Sequence, residues 1–413
     1  MRLSLLASTL FAVFGLATAQ ITPAKADPPV KIGVLTDMSG VSSDGTGRGS
    51  VEAARMAVED FGGSVLGAPI QVVFADHLHK ADVGSAIARR WLDAEGVDVI
   101  VDIPDSAVAL AVQQIVRERN KIALYSSAGT TALVQAQCSP NGIQWTYDTY
   151  ALAHGTAGAV VRNGATKWFI VGADYAFGRQ LAADITSVVQ ANGGTVLGSV
   201  WHPLNNPDFS SYLLTAQASG AQVIAIASAG GDATNAIKQA AEFHLGDGGQ
   251  QLAAMIFLPQ DAHSLGLKAT QGIYLTTSFY SDIDDATRAW SKRFTERVGA
   301  GPSMLQAGVY SSVAHYLKAV KAAGTKDTAK VMAQMRGLHD AWRPHPRGRA
   351  PDAGHVPGAG EDAGREQGRM GPVQDHHPHP GRGRGLAAVR VEMPAGDALR
   401  PGRCAAHRSR RAA

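Results

Sequence analysis

A chain of 413 residues, 45% hydrophobic and 18% charged, is too apolar for a disordered or fibrous protein and longer than one core needs, which predicts two domains. Its net charge of +3 and pI near 8.8 suggest a polyanion partner until the location of the charge is considered. Thirteen Arg against seven Asp and Glu lie beyond Ala341; that surplus of six leaves the preceding chain at −3, so no nucleic-acid partner is expected.

In chain order, Arg2 precedes an apolar run from Leu3 to Ala19, and Ala24-Lys25-Ala26 places small residues at the −3 and −1 positions of a cleavage site. Residues 1–26 are read as a cleaved signal peptide that sends the protein to the periplasm. Ala17-Thr18-Ala19 is a second cleavage site, and an uncleaved anchor is the alternative because the run approaches span length. No Cys stands directly after either site, which argues against a lipid anchor, and no later segment is apolar enough to span a membrane.

Short β-rich runs then alternate with helical patterns. The runs are Lys31–Thr36, Ile70–Ala75, Val97–Ile103, Lys121–Tyr125, Trp168–Val171, Thr195–Trp201, Gln222–Ala227, Ala254–Leu258 and Ile273–Thr276. Helical patterns include Val51–Phe61, Ser106–Asn120, with Val108, Val112, Ile115 and Val116 on one face, and Gln180–Asn192. Runs apolar on both faces and separated by helices predict parallel sheets covered on both sides. There are too many strands for one sheet, so the fold class is α/β with two Rossmann-like lobes and a ligand cleft between them. The recurrence of strand, helix, Gly-Gly (62–63 and 193–194) and strand marks an architectural repeat. The first lobe is expected over 27–147, with about 277–325 returning to it, and the second over 148–276, with about 326–337. Past Asp282 the pattern is helical, over Ala286–Val298, Ser303–Ala323 and Thr328–Met335.

From about Leu338 periodicity stops, Lys disappears, and Gly, Pro, Arg and His accumulate. One reading is a disordered basic tail; the other is a shifted reading frame. Read one nucleotide later, the codons of Met370-Gly371 give Trp, those of Met393-Pro394 give Cys, and those of Asp375-His-His-Pro-His379 include repeated Ile or Thr codons. The shifted text is a plausible globular sequence, so 338–413 is read as a disordered, out-of-frame tail.

Lys31-Ile-Gly-Val-Leu-Thr-Asp-Met-Ser-Gly40, Asp76-His77 ahead of a helix, Tyr175-Ala-Phe-Gly178, Gly230-Gly-Asp232 and Gln306-Ala-Gly-Val-Tyr310 follow one another in an order and spacing that resembles the type I periplasmic solute-binding proteins. The nearest group is the branched-chain amino acid (Leu/Ile/Val-type) receptors of ABC importers. The resemblance covers about residues 30 to 337. It implies a non-enzymatic receptor, expected to be monomeric and to need no cofactor or metal, that captures a small amino-acid-like or carboxylate ligand between its lobes and delivers it to an inner-membrane ABC permease. It carries ligand contacts onto Ser39, Ser106, Ala128 and Thr130 in the first lobe. In the second it points to Tyr175 as an aromatic wall and to Asp232 and Asp261 as loop contacts. This sequence has Gln260-Asp261 where amino-acid binders commonly carry a Pro-Glu pair. Ser106 serves equally as an N-cap for its helix. Trp145, Tyr147 and Tyr150 at the lobe crossover are read as core or hinge support, with a pocket role as the alternative. The resemblance also implies that the Cys of the shifted frame is the partner of Cys138, so a Cys138–Cys404 pair is not expected.

Other function classes find little support. Asp76, His77 and His79 lack a second cluster at metal-ligand spacing, and a His beside a strand end is ordinarily a surface residue. Gly45-Thr-Gly-Arg-Gly49 begins well after the first strand and lacks the acidic ribose partner of a dinucleotide loop. An exported enzyme on a two-lobed fold and a periplasmic ligand sensor remain the alternatives.

Overall fold

The computed structural model describes residues 28–246, 248–266, 268–270, 272–338 and 387–390. In the first strand, β1 (Val30–Thr36), Ile32, Val34 and Leu35 are all fully buried, because helices cover both faces. Such a strand belongs inside a parallel sheet. The chain continues through α1 (Gly47–Phe61), β2 (Ser64–Val65), β3 (Ala68–Asp76), α2 (Ala81–Asp93), β4 (Val99–Asp102), α3 (Ser106–Glu118), β5 (Ile122–Tyr125) and β6 (Gly142–Gln144). These strands form a sheet of order β2-β3-β1-β4-β5-β6, parallel except for the β2/β3 hairpin.

The second lobe repeats the plan. It comprises α4 (Thr149–Arg162), β7 (Lys167–Ala173), α5 (Ala176–Ala191), β8 (Thr195–His202), α6 (Ser210–Ala218), β9 (Val223–Ala227), α7 (Gly230–Glu242), β10 (Gln251–Ala254), α8 (Pro259–Leu265) and β11 (Tyr274–Thr277). With β12 (Ala387–Arg390), these strands form a parallel sheet of order β12-β11-β10-β9-β7-β8. Then come α9 (Asp285–Val298), α10 (Met304–Ala323) and α11 (Thr328–Gly337). The expected class, α/β with two lobes, is the one observed. In each sheet the chain steps from one strand to a neighbour on one side (β1 to β3, β7 to β8) and then crosses to the other (β4, β9). At such a switch point the loops after the strands part and leave a crevice.

Helix starts are fixed by local side chains. Asp105 accepts from the Val108 N–H, Asp148 from that of Ala151, and Ser303 and Gln306 form a reciprocal box at the head of α10. One core cluster runs through both lobes, joining Val34, Leu152, Ile170 and Tyr316. Trp145, at the crossover after β6, donates from Nε1 to Ser311 Oγ of α10 at 2.8 Å and stacks on His315. It therefore packs against α10, whereas Tyr150 is exposed.

Four features differ from the sequence expectation. Strand β10 ends at Ala254, where the expected run Ala254–Leu258 began. The segment 326–337, assigned to the second lobe, binds the first. Lys326 Nζ reaches Asp98, Thr328 donates to the Asn120 carbonyl, and Arg336 donates to the Pro140 carbonyl, because α11 packs back along α10. Within the tail read as disordered, 387–390 pair in register with β11, whose outer edge is otherwise open on that side. Finally, Cys138 is disulfide-bonded; the sequence has one other cysteine, Cys404, which lies outside the described residues, as does the proposed signal peptide 1–26.

Helices α1, α9 and α10 are locked together by Asp60. It accepts from Arg293 Nη1 and Nη2 at 3.0 and 2.7 Å and from Tyr310 Oη at 2.8 Å, with both charged side chains largely buried. Removing one member of such a unit leaves the others unpaired. Asp60→Ala is expected to lower the unfolding free energy by about 2–4 kcal/mol in urea titrations. Lys292→Ala, which removes the exposed Lys292–Glu296 pair, should cost less than about 0.5 kcal/mol.

Candidate functional site

The first-lobe crevice is organised by one buried carboxylate. Asp37, the residue after β1, accepts the backbone N–H of Gly40 at 2.7 Å, of Ser39 at 3.3 Å and of Ser42 at 2.9 Å, which fixes the loop ahead of α1. Its Oδ2 also meets His79 Nε2 at 2.7 Å, and His79 Nδ1 meets Asp105 Oδ2 at 3.1 Å. The ends of β1, β3 and β4 are thus joined through one imidazole. Burial opposes charge on this ring, but the hydrogen bonds to Asp105 and Asp37 outweigh it and carry its pKa up to about 9. Burial likewise opposes ionisation of Asp37, yet His79 and the loop amides hold it down at about 2. Neighbouring His77 is fully buried and accepts the His79 N–H; burial, aided by the His79 charge, lowers it to about 4, so it stays neutral. Leu78, His79, Asp102 and Ile103 all have left-handed φ values (55°, 52°, 80° and 59°), strain concentrated at the cleft ends of β3 and β4. His77 and His79 are therefore interior groups, not the surface residues expected. Among the described residues no cluster of three His, Cys, Asp or Glu is placed to hold a metal.

Between the lobes lies a cavity of about 190 Å³. The first lobe contributes the loop from Gly40 to Gly45, Pro104, Ser127 and Tyr147. The second contributes Tyr175 and Phe177 after β7, Ala229–Gly231, Thr234 and Asn235 at the head of α7, and Ile256, Leu258, Asp261 and Ser264 after β10. Leu305 of α10 closes one side. The lobes touch directly, since the Gly231 N–H donates to the Val41 carbonyl at 3.0 Å. A Cβ on Gly230, which has φ +57°, would lie 2.0 Å from that same oxygen, so glycine is required for the approach.

Of the residues expected to bind ligand, Tyr175 and Asp261 line this cavity. The others have other partners. Ser39 is exposed and donates to Asp76 Oδ2 at 2.8 Å. Ser106 accepts the Thr130 N–H at 3.3 Å, and the N-cap of α3 is Asp105, not Ser106. The Ala128 carbonyl accepts from Gln144, and Thr130 caps the short 3-10 turn Thr131–Leu133. Asp232 accepts the N–H groups of Asn205 and Asn206 at 3.1 and 2.9 Å. In this closed arrangement the segment after β5 presents Ser127 to the cavity. Tyr147, weighed above between core and pocket, lines the cavity while its hydroxyl donates to the Ser127 carbonyl at 2.8 Å. Asp261 accepts the Leu258 N–H at 2.9 Å; burial, reinforced by Asp44 from the opposite lobe, raises it to about 6. Burial also pushes the Tyr175 phenol well up, with Asp105 adding to the effect.

The pH dependence of the His79 clamp follows from the direction of each shift. The folded pKa of His79, about 9, lies above its ordinary 6.5, so its stabilisation is complete below about pH 6.5 and is lost as pH rises through 9. Asp37, at about 2 against an ordinary 3.8, stabilises fully above pH 3.8 and loses that contribution as pH falls through 2. The stability difference between wild type and His79→Gln should accordingly be greatest near pH 6 and shrink by roughly 3 kcal/mol toward pH 10. Urea unfolding at a series of pH values measures it; a difference independent of pH would mean that His79 is uncharged in the fold.

Comparison with known proteins agrees with this architecture. Residues 29–358 match the family model described as periplasmic binding protein, a match that runs past Leu338, where the composition changes. A crystal structure of a periplasmic binding protein from Burkholderia mallei is 49% identical, with TM-score 0.74 over 75% of this chain and 82% of that one. A branched chain amino acid ABC transporter periplasmic ligand-binding protein from Burkholderia xenovorans is 42% identical, with TM-score 0.68 over 76% and 83% of the two chains. Among curated proteins, the Leu/Ile/Val-binding protein homolog 6 of Brucella melitensis is 27% identical over 359 residues, 85% of this chain and 90% of the relative. Two parallel-sheet lobes closed over a shared cavity, together with a family match over most of its length, show that this chain belongs to the periplasmic binding protein family.

Proposed function

We propose that this protein captures a small solute in the inter-lobe cavity and delivers it to an inner-membrane ABC permease. The observation that carries this reading is the cavity itself. Both lobes build it at the carboxyl ends of their sheets, and the Val41–Gly231 hydrogen bond holds the lobes closed around it. Its volume of about 190 Å³ is below the roughly 300–1,000 Å³ of drug-sized sites, which favours a solute of amino-acid size. Aromatic rings of Tyr147, Tyr175 and Phe177 offer apolar contact, while Ser127, Asn235 and Asp261 offer polar contact. The names of the Burkholderia xenovorans and Brucella melitensis relatives favour a branched-chain amino acid within that class. Closure stabilised by ligand gives a permease a surface that distinguishes loaded from empty receptor. Residues 1–26 would direct the chain to the periplasm, where it acts as a monomer.

Isothermal titration of the purified protein with leucine, isoleucine, valine and small amides tests the reading; binding by none of them would sink it. For a solute that binds, Tyr175→Ala should weaken affinity about tenfold or more, since the ring lines the cavity. The melting temperature of the ligand-free protein should change little.

A further inference from the structure

The seam between the lobes has a second tie, and it lies outside the cavity. Gln260, on α8 of the second lobe, donates from Nε2 to the Gly301 carbonyl at 2.6 Å. Its neighbours Leu258 and Asp261 line the cavity, but Gln260 does not. Gly301 stands between α9 and α10, which pack on α1 of the first lobe. Arg293 and Arg297 of α9 are paired with Asp60, Glu52 and Glu59 of α1. At the head of α10, Ser303 Oγ donates to the Gly45 carbonyl at 2.6 Å, and Gln306 Nε2 donates to the carbonyls of Asp44 and Thr46 at 3.3 and 3.1 Å. The carbonyl that Gln260 meets is therefore anchored to the loop that walls the cavity.

Other contacts across the seam are made by cavity residues. The Gly231 N–H meets the Val41 carbonyl, and Leu258 rests on Gly45, where an added Cβ would lie 2.5 Å from Leu258 Cδ1. All four of these residues line the cavity, so a solute touches what also joins the lobes. Gln260 joins them through a side chain outside the lining. Its Oε1 is buried with no partner among the described residues, so the bond to Gly301 is what orients the amide. Gly301 is exposed. When the lobes part, its carbonyl and the Gln260 amide both return to water, and the bond belongs to the closed form alone.

We infer that Gln260 is a positioning residue for capture, a latch that holds α8 down on the α9–α10 loop and sets how long the receptor stays shut over any solute it holds. The inference rests on capture in the inter-lobe cavity. A contact made only in the closed form changes the fraction of closed receptor and not the solute's own contacts. It therefore scales the apparent affinity of every solute by the same factor.

The test is calorimetry and stopped-flow release near neutral pH on the full chain, with leucine, isoleucine and valine as probes. Gln260→Glu keeps the side-chain length and removes the donor, which sets a carboxylate against the Gly301 carbonyl. Affinity should fall about tenfold, the scale of one lost hydrogen bond with an acceptor left unpaired. The factor should be the same for each probe that binds, with most of the loss in faster release. Pro259→Glu places the same charge one residue away at an exposed position and should bind within about threefold of wild type. The ligand-free melting temperature of Gln260→Glu should match wild type, since the bond is absent when the lobes part. Wild-type affinity in Gln260→Glu, an equal loss in Pro259→Glu, unequal losses among the probes, or a lower ligand-free melting temperature would each overturn the latch and leave capture intact. Binding of no probe by the wild type overturns both.

Discussion

The imidazolium of His79, held between Asp37 and Asp105, is the interaction on which the site depends. Three strand ends from one sheet must approach closely at the cleft, each carrying polar side chains away from bulk water. A single buried cation between two carboxylates makes that approach favourable and leaves spare oxygens for other work. The remaining capacity of Asp37 shapes the loop from Ser39 to Ser42, and that of Asp105 starts α3. Breaking the clamp would leave two buried carboxylates facing one another, so the geometry is all-or-none. The left-handed residues beside it, Leu78, His79, Asp102 and Ile103, are strain that this network holds in place.

The two lobes contribute differently to the cavity. The first supplies a backbone loop whose Ser39, Gly40 and Ser42 amides are held by Asp37, and the Ser127 hydroxyl, which donates to Asp102. The second supplies aromatic rings and the head of α7, where unpaired helix N–H groups would ordinarily be available to a ligand. One of those, on Gly231, is spent on the opposite lobe. Closure and ligand binding therefore draw on the same helix end, which couples the shape of the receptor to the contents of its cleft.

Much of this architecture is legible in the sequence because strands such as β1, β4 and β9 are apolar on both faces and the helices between them carry clear apolar stripes. Reading fails where periodicity carries no information. The segment Met255–Leu258 is as apolar as a strand because it forms a buried wall after β10, and a buried loop of that length cannot be told from a strand. Strands β2 and β6, with two and three residues, are too short to show alternation. The cavity lining was legible at Tyr175 and Asp261, which stand at strand and helix ends. It was hidden at Asp37, His79 and Asp105, whose meaning arises from contacts across 42 and 26 residues that no local pattern encodes. Ser127 was passed over for its neighbours Ala128 and Thr130, since nothing in a run of small residues says which one faces inward.

Helix α10 has a geometric role beyond its packing. Its first turn carries Leu305 into the cavity, and Gln306 donates to the carbonyls of Asp44 and Thr46 in the loop ahead of α1. Farther along, Ser311 and His315 receive Trp145, and the helix ends against α11. Twenty residues of α-helix span about 30 Å. A tilt of about 4° at the cavity end therefore moves the far end by about 2 Å, a distance comparable to a change of packing partner. The helix thus connects the cleft at its first turn with the packing of α11 at its far end, so a tilt set by the contents of the cleft would register away from the solute.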